Sequence, residues 1–80
     1  GTKYPEVPLD FSDTYVYANQ GDRFDTLALQ YYGDSSLWWI ISIANDSLKQ
    51  NSYYLPLDIQ IRIPANYSAI VSTYNALNNL

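Results

Sequence analysis

Catalysis by this 80-residue chain would have to rest on carboxylates, because it contains no His and no Cys. That absence excludes thiolate chemistry, disulfides and a conventional zinc site. The carboxylates whose positions invite attention are Asp22 with Asp25, Asp34 and Asp58. Acid–base hydrolysis wants two carboxyls facing each other across a cleft, with their pKa values pushed apart. Asp22 and Asp25 instead stand together at the head of one apolar helical stripe, and Asp34 has no acidic neighbour. Each sits where a helix needs a capping acceptor. The same residues with Asp58 could meet a hard cation, but their spacing is not that of a calcium loop. No catalytic residue, metal or cofactor is expected.

Binding chemistry is better supplied. The chain has 9 Tyr, 2 Trp and 2 Phe, and 48% of its residues are apolar. Tyr and Trp join a large apolar area to a polar tip and concentrate at interfaces. Only 15% of residues are charged, low for a freely soluble monomer. The four basic residues, Lys3, Arg23, Lys49 and Arg62, are dispersed in a chain of net charge −4, which argues against a nucleic-acid partner. Apolar runs are too short for a membrane span, and no signal peptide is visible at the start of the sequence.

The elements that position these side chains can be read in order. Residues 1–13 form an extended arm, because Pro5 and Pro8 disfavour helix. Val7, Leu9 and Phe11 alternate along it, so one face can lie on the domain or on a neighbour. Residues 14–18 favour a strand, with Val16 on one face and Tyr15 and Tyr17 on the other. After the turn at Asn19-Gln20-Gly21, Asp22 is the expected cap of a first helix. Phe24, Leu27, Ala28 and Tyr31 form its stripe, and Gly33 stops it.

A second helix starts from Asp34 or Ser35, with Leu37, Ile40, Ile41 and Ala44 as its stripe. Trp38, Trp39 and Ile43 lie off that stripe, so this helix is apolar nearly all round and must be wrapped by the fold or meet another protein. Adjacent helix positions point about 100° apart, so the two Trp residues cannot share one small core. Asn45 ends the helix, through a left-handed conformation or by capping. A polar loop over residues 46–58 carries Tyr53 and Tyr54. Ile59, Ile61 and Ile63 then alternate with Asp58, Gln60 and Arg62 in a second strand that Pro64 closes.

Residues 66–77 read as a third helix capped by Asn66, with Tyr67, Ile70, Val71, Tyr74 and Leu77 in line and Asn75, Asn78 and Asn79 fraying its end. Its stripe can fold back on the domain or pack on a partner. The fold class is therefore α+β: strand, helix, helix, strand, with the two strands paired antiparallel under the helices.

Tyr15-Val16-Tyr17, Gly21-Asp22-Arg23-Phe24-Asp25-Thr26-Leu27-Ala28, Tyr31-Tyr32-Gly33, Ile43-Ala44-Asn45 and Ile61-Arg62-Ile63-Pro64, in this order, resemble the LysM domain. The resemblance covers residues 14–64 and leaves residues 1–13 as an arm and 65–80 as an added helix and tail. The Tyr-Tyr-Gly-Asp-Ser-Ser-Leu-Trp-Trp-Ile-Ile stretch is similar to the version found in tail and baseplate proteins of contractile phages. That resemblance implies a non-enzymatic structural component of a virion, bound to other tail or baseplate proteins or to copies of itself. Phe11, Trp38, Trp39, Ile43, Tyr53, Tyr54 and Tyr74 are the candidate interface residues. Ordinary LysM modules bind N-acetylglucosamine-containing glycans such as peptidoglycan and chitin. The resemblance thus implies an alternative, extracellular or cell-wall role. Its groove would lie between Gly21, Asp22 and Arg23 and the loop that starts with Asn45 and Asp46. Asp46 and Leu57 depart from the family pattern, standing where many members have Pro and Gly.

Overall fold

Thr14–Tyr17 (β1), a run of β-branched and aromatic residues, pairs antiparallel with Gln60–Ile63 (β2) in a two-stranded sheet. The register runs from Thr14 opposite Ile63 to Tyr17 opposite Gln60. The computed structural model describes residues 1–46 and 54–79. Between the strands lie Phe24–Tyr32 (α1) and Trp38–Ala44 (α2), the latter entered through a 3-10 turn at Ser35–Leu37. Tyr67–Asn78 (α3) follows β2. The order is the α+β strand-helix-helix-strand arrangement expected, with the arm before it and the helix after.

The core sits between the inner face of the sheet and the helix pair. Leu27 and Ala28 of α1, Ile41 of α2, Ile61 and Ile63 of β2, and Ala18 and Leu55 from the flanking loops are all buried there. Val16 packs against them from β1, while Tyr15 and Tyr17 point outward as the alternation requires. Gly33 adopts φ 74° and donates its N–H to the Leu29 carbonyl, closing α1 as only glycine does without strain. Asp34 accepts from the Ser36 N–H at 2.9 Å and opens the next turn.

Three local readings are corrected, and one left open is decided. Arg23, not Asp22, is the residue at the head of α1, and its own N–H is taken by the Thr26 hydroxyl at 3.0 Å. Asp22 instead accepts from the Asn19 N–H at 2.7 Å and closes the preceding turn. In α1 it is Tyr32 that turns inward, its hydroxyl donating to the Pro64 carbonyl at 2.6 Å, while Tyr31 faces solvent. Of the two endings open to Asn45, the structure takes capping: its φ is −126°, not left-handed, and its side-chain amide donates to the Ile41 carbonyl at 2.8 Å. Asn78 does not fray: its side chain pairs with both backbone groups of Lys3 at 2.8 and 2.9 Å.

Helix α3 folds back onto the domain through aromatic rings. Tyr67 rests on Tyr32 with ring centres 4.5 Å apart, and Tyr74 on Trp39 at 4.7 Å. Such pairs add about 0.5–1.5 kcal/mol each beyond the area they bury.

Replacing the buried Ile61 by Ala should cost about 3 kcal/mol in urea unfolding with an unchanged slope. Leu29→Ala, at a side chain 58% exposed, should stay within about 0.5 kcal/mol. Equal costs at the two positions would contradict the core described here.

Candidate functional site

The arm is fastened to the sheet by one side chain. Arg62 lies on the outer side of β2, opposite Tyr15, yet is only 8% exposed. Its Nε donates to the Asp13 carboxylate at 2.7 Å, Nη1 to the Val7 carbonyl at 2.9 Å, and Nη2 to the Pro8 carbonyl. Asp13 also accepts from the Ala65 and Asp10 N–H groups at 3.1 and 3.2 Å. Burial works against its charge, but these donors and Arg62 outweigh it and hold the carboxyl below the usual carboxylate range. The strand alternation puts Arg62 with Asp58 and Gln60 on the face away from Ile61 and Ile63. Its acceptors lie 49 to 55 residues away in the chain, so no local pattern reveals them.

Further along the arm, Tyr4 stacks on both Trp39 (5.6 Å) and Tyr74 (5.7 Å). Trp39 and Tyr74 therefore spend their faces within the chain, and neither enters the main core. Trp38 remains 45% exposed, and Ile43 is half-buried at the edge of a hollow beneath the arm that it shares with Tyr4, Val7 and Asp46. The alternating arm residues do not lie on the domain as a face. Leu9 is 78% exposed and Phe11 fully exposed.

Phe11 projects from a tightly bonded turn. Asp13 N–H donates to the Asp10 carbonyl at 2.9 Å, and the Asp10 carboxylate accepts from both the N–H and hydroxyl of Ser12. Those Ser12 bonds also hold the Asp10 carboxyl below its ordinary range. Beside this turn, between the arm and α3, an open hollow of about 180 Å³ is walled by Pro8, Leu9, Pro64, Ala69 and Ile70.

The residues assigned to a glycan groove separate. Gly21 lines a shallow hollow with Gln20, Tyr54, Leu55 and Leu57, between the turn before α1 and the segment leading to β2. Asp22 borders the same segment, its carbonyl accepting the Leu55 N–H at 2.8 Å. Arg23 pairs with Asp25 at 2.9 Å and lies 6.0 Å over the Tyr54 ring. Asn45, by contrast, is buried and consumed: its amide bridges the Ile41 and Arg62 carbonyls and accepts the Arg62 N–H. Asp46 opens onto the hollow under the arm instead. Tyr53 lies outside the described residues.

Four carboxylates, Asp10, Asp13, Asp25 and Asp34, are held by donors close at hand. The Arg23 guanidinium lowers the Asp25 pKa, and the Ser36 hydroxyl and N–H lower that of Asp34. With Asp10 and Asp13, all four are pushed towards the charged form, the wrong direction for a proton donor near neutral pH. Burial raises the Tyr32 pKa, in keeping with a hydroxyl that donates to a carbonyl. Among the described residues no group of three or more acidic side chains converges to hold a metal ion.

No protein-family model, curated protein or solved structure matches this chain. Among the described residues, no helix is long and apolar enough to cross a membrane.

Arg62→Met should remove the three bonds to the arm and strand the buried Asp13 carboxylate, at a cost of roughly 3 kcal/mol. Hydrogen exchange should show the Ala65 amide, which donates to Asp13, losing protection while the Leu27 amide of α1 keeps it. Acid should act in the same direction. Because the folded pKa of Asp13 is depressed, its contribution is complete above the unfolded value of about 4 and is lost as pH falls through the folded one. Retained Ala65 protection in the variant would show that Asp13 is held without Arg62 and that Arg62 is not the fastening.

Proposed function

We propose that this chain is a LysM-like module serving as a non-enzymatic structural part of a phage tail or baseplate, holding neighbouring tail proteins or copies of itself. Support comes from the resemblance of its helix pair to the phage-type version of that family. Three additions to the βααβ unit fit the role: an arm clamped by Arg62, a third helix clamped by aromatic stacking, and apolar side chains left outside both. The observation that carries the reading is Phe11, fully exposed at the tip of a turn that is fixed by four hydrogen bonds among residues 10–13. A large apolar side chain presented to water on a bonded turn suits the part of an anchor for a partner's pocket.

A glycan-binding role of an extracellular or cell-wall protein is the second reading. The hollow at Gly21, Tyr54, Leu55 and Leu57 favours it, since a half-exposed Tyr ring beside an open depression suits a sugar face.

Purified tail or baseplate particles from the phage that encodes the chain should contain it at fixed stoichiometry, as read by quantitative mass spectrometry. Calorimetric titration with N-acetylglucosamine oligomers should show no saturable heat. Saturable binding abolished by Tyr54→Ala, with the chain absent from particles, would replace the assembly reading by the glycan one.

A further inference from the structure

We infer that the free edge of β1 is a docking strip for an extended, basic segment of a neighbouring protein, which adds as a third strand beside Tyr15 and Tyr17. This deepens the assembly reading, on which it rests for the existence of a neighbour, by giving the chemistry of what is held.

The sheet treats its two edges differently. On β2, the Asn45 amide meets the backbone of Arg62 as a paired strand would. Its Oδ1 accepts the Arg62 N–H at 2.9 Å, and its Nδ2 donates to the Arg62 carbonyl at 2.8 Å. Tyr15 stands opposite Arg62 in the register. In an antiparallel ladder, pairs that exchange both bonds alternate with pairs that exchange none. Tyr15 and Arg62 are a pair of the second kind, and so, two residues on, are Tyr17 and Gln60. The Ala18 N–H, given to the Ile59 carbonyl at 2.9 Å, keeps the same parity. Tyr15 and Tyr17 therefore direct two N–H and two C=O groups away from β2. Among the described residues nothing bonds to these four groups.

Unpaired donors and acceptors at two-residue spacing are a template for another strand. An extended chain meets them group for group, whereas a helix has already spent its backbone internally. The strip has defined ends. Asp13 gives its N–H to the Asp10 carbonyl, and Asn19 bonds Asp22 through both its N–H and its carbonyl. Residues 15–17 are what remains, a length that a segment of about five residues covers. The strand, Thr-Tyr-Val-Tyr, carries neither the Lys nor the Pro that blunts an open edge.

Alternation and charge set the rest of the partner's chemistry. Tyr15 and Tyr17 are 52% and 65% exposed on the outer face, and Val16 is half-buried on the inner one, at the margin of the core. Carboxylates stand at both ends of the strip, Asp10 and Asp13 before it and Asp22 after it, in a chain of net charge −4. Lys or Arg on the outer face of the added strand gains the Tyr ring faces and these carboxylates. Val or Ile on its inner face continues the packing that Val16 begins. A second copy of this chain offers the same backbone edge, but it brings like charge and no cation for the rings.

Hydrogen exchange and NMR titration of the full chain test the strip. In the free chain the Tyr15 and Tyr17 amides should exchange at least about tenfold faster than those of Val16 and Ala18, which bond within the sheet. A peptide alternating Lys with Val should bind with a Kd on the order of 1 mM, protecting the Tyr15 and Tyr17 amides. Salt at about 0.5 M should weaken it by screening. N-methylation of alternate peptide amides along one edge should abolish binding, and along the other edge should leave it. Tyr17→Lys, at an exposed position outside the ladder bonds, should keep the far-UV circular dichroism spectrum and weaken binding at least about tenfold. Slow exchange of both Tyr amides in the free chain, or indifference to which edge is methylated, would overturn the strip. Equal binding of a peptide alternating Glu with Val would overturn its basic occupant, and protection that rises with protein concentration would give the edge to a second copy. None of these outcomes bears on the tail-assembly reading, which particle composition decides separately.

Discussion

A buried guanidinium keeps its charge at any pH at which the fold exists, so its N–H groups must all be met by acceptors from the protein. Arg62 imposes that demand on the outer side of a sheet only two strands wide. A carboxylate and two carbonyls from residues 7–13 answer it. The arm is therefore part of the sheet's second layer rather than an appendage. Without it, one face of β2 would be open to water, and Arg62 would have no reason to be held. Its backbone carries the same linkage inward, since its N–H and carbonyl both bind the Asn45 side chain at the end of α2. Position 62 thus joins arm, sheet and helix pair in one bonded unit.

That unit explains what could be read locally and what could not. Strand alternation at Ile59, Ile61 and Ile63, the Leu27 and Ala28 stripe, the Gly33 stop and the Asp34 cap are short-range features, and periodicity or turn chemistry is enough to find each. The choice of Tyr32 over Tyr31 as the inward residue depends on a carbonyl at Pro64, 32 residues away in the chain. The roles of Arg62 and Asn78 depend on partners 49 to 75 residues away, and that of Asn45 in part on Arg62, 17 residues away. An arginine in a polar register and asparagines at helix ends have sound local explanations as solvated or fraying groups. Only the assembled structure distinguishes those from a clamp. The shift of the first cap from Asp22 to Arg23 has another cause: Thr26 and Asp25 satisfy the helix start, freeing Asp22 to close the turn behind it.

The aromatic surplus on α2 divides in an informative way. Trp39 joins Tyr4 and Tyr74 in a cluster of three tilted rings, so the apolar excess that suggested an external partner is partly met by the arm and α3. For a domain of 80 residues with no disulfide this is a structural necessity as much as a functional option, because small cores need extra covering. Trp38 stays near half exposure, within the range normal for scattered surface aromatics. Exposure alone is therefore a poor guide to which aromatic meets a partner.

What separates Phe11 from the other exposed rings is the rigidity of its support. Tyr15 and Tyr17 point outward from a strand whose alternation must put something on the outer face. Phe11 occupies a turn in which Asp10, Ser12 and Asp13 are all bonded to one another, and Asp13 in turn is tied to Arg62 and Ala65. Ordering a loop and its side chains on binding costs free energy that a prefixed turn has already surrendered during folding. The clamp at Arg62 therefore does two things at once. It closes the outer layer of a minimal sheet, and through the same carboxylate it fixes the direction in which Phe11 leaves the surface. A demand set by one buried charge on β2 becomes the geometric definition of the module's most exposed apolar group.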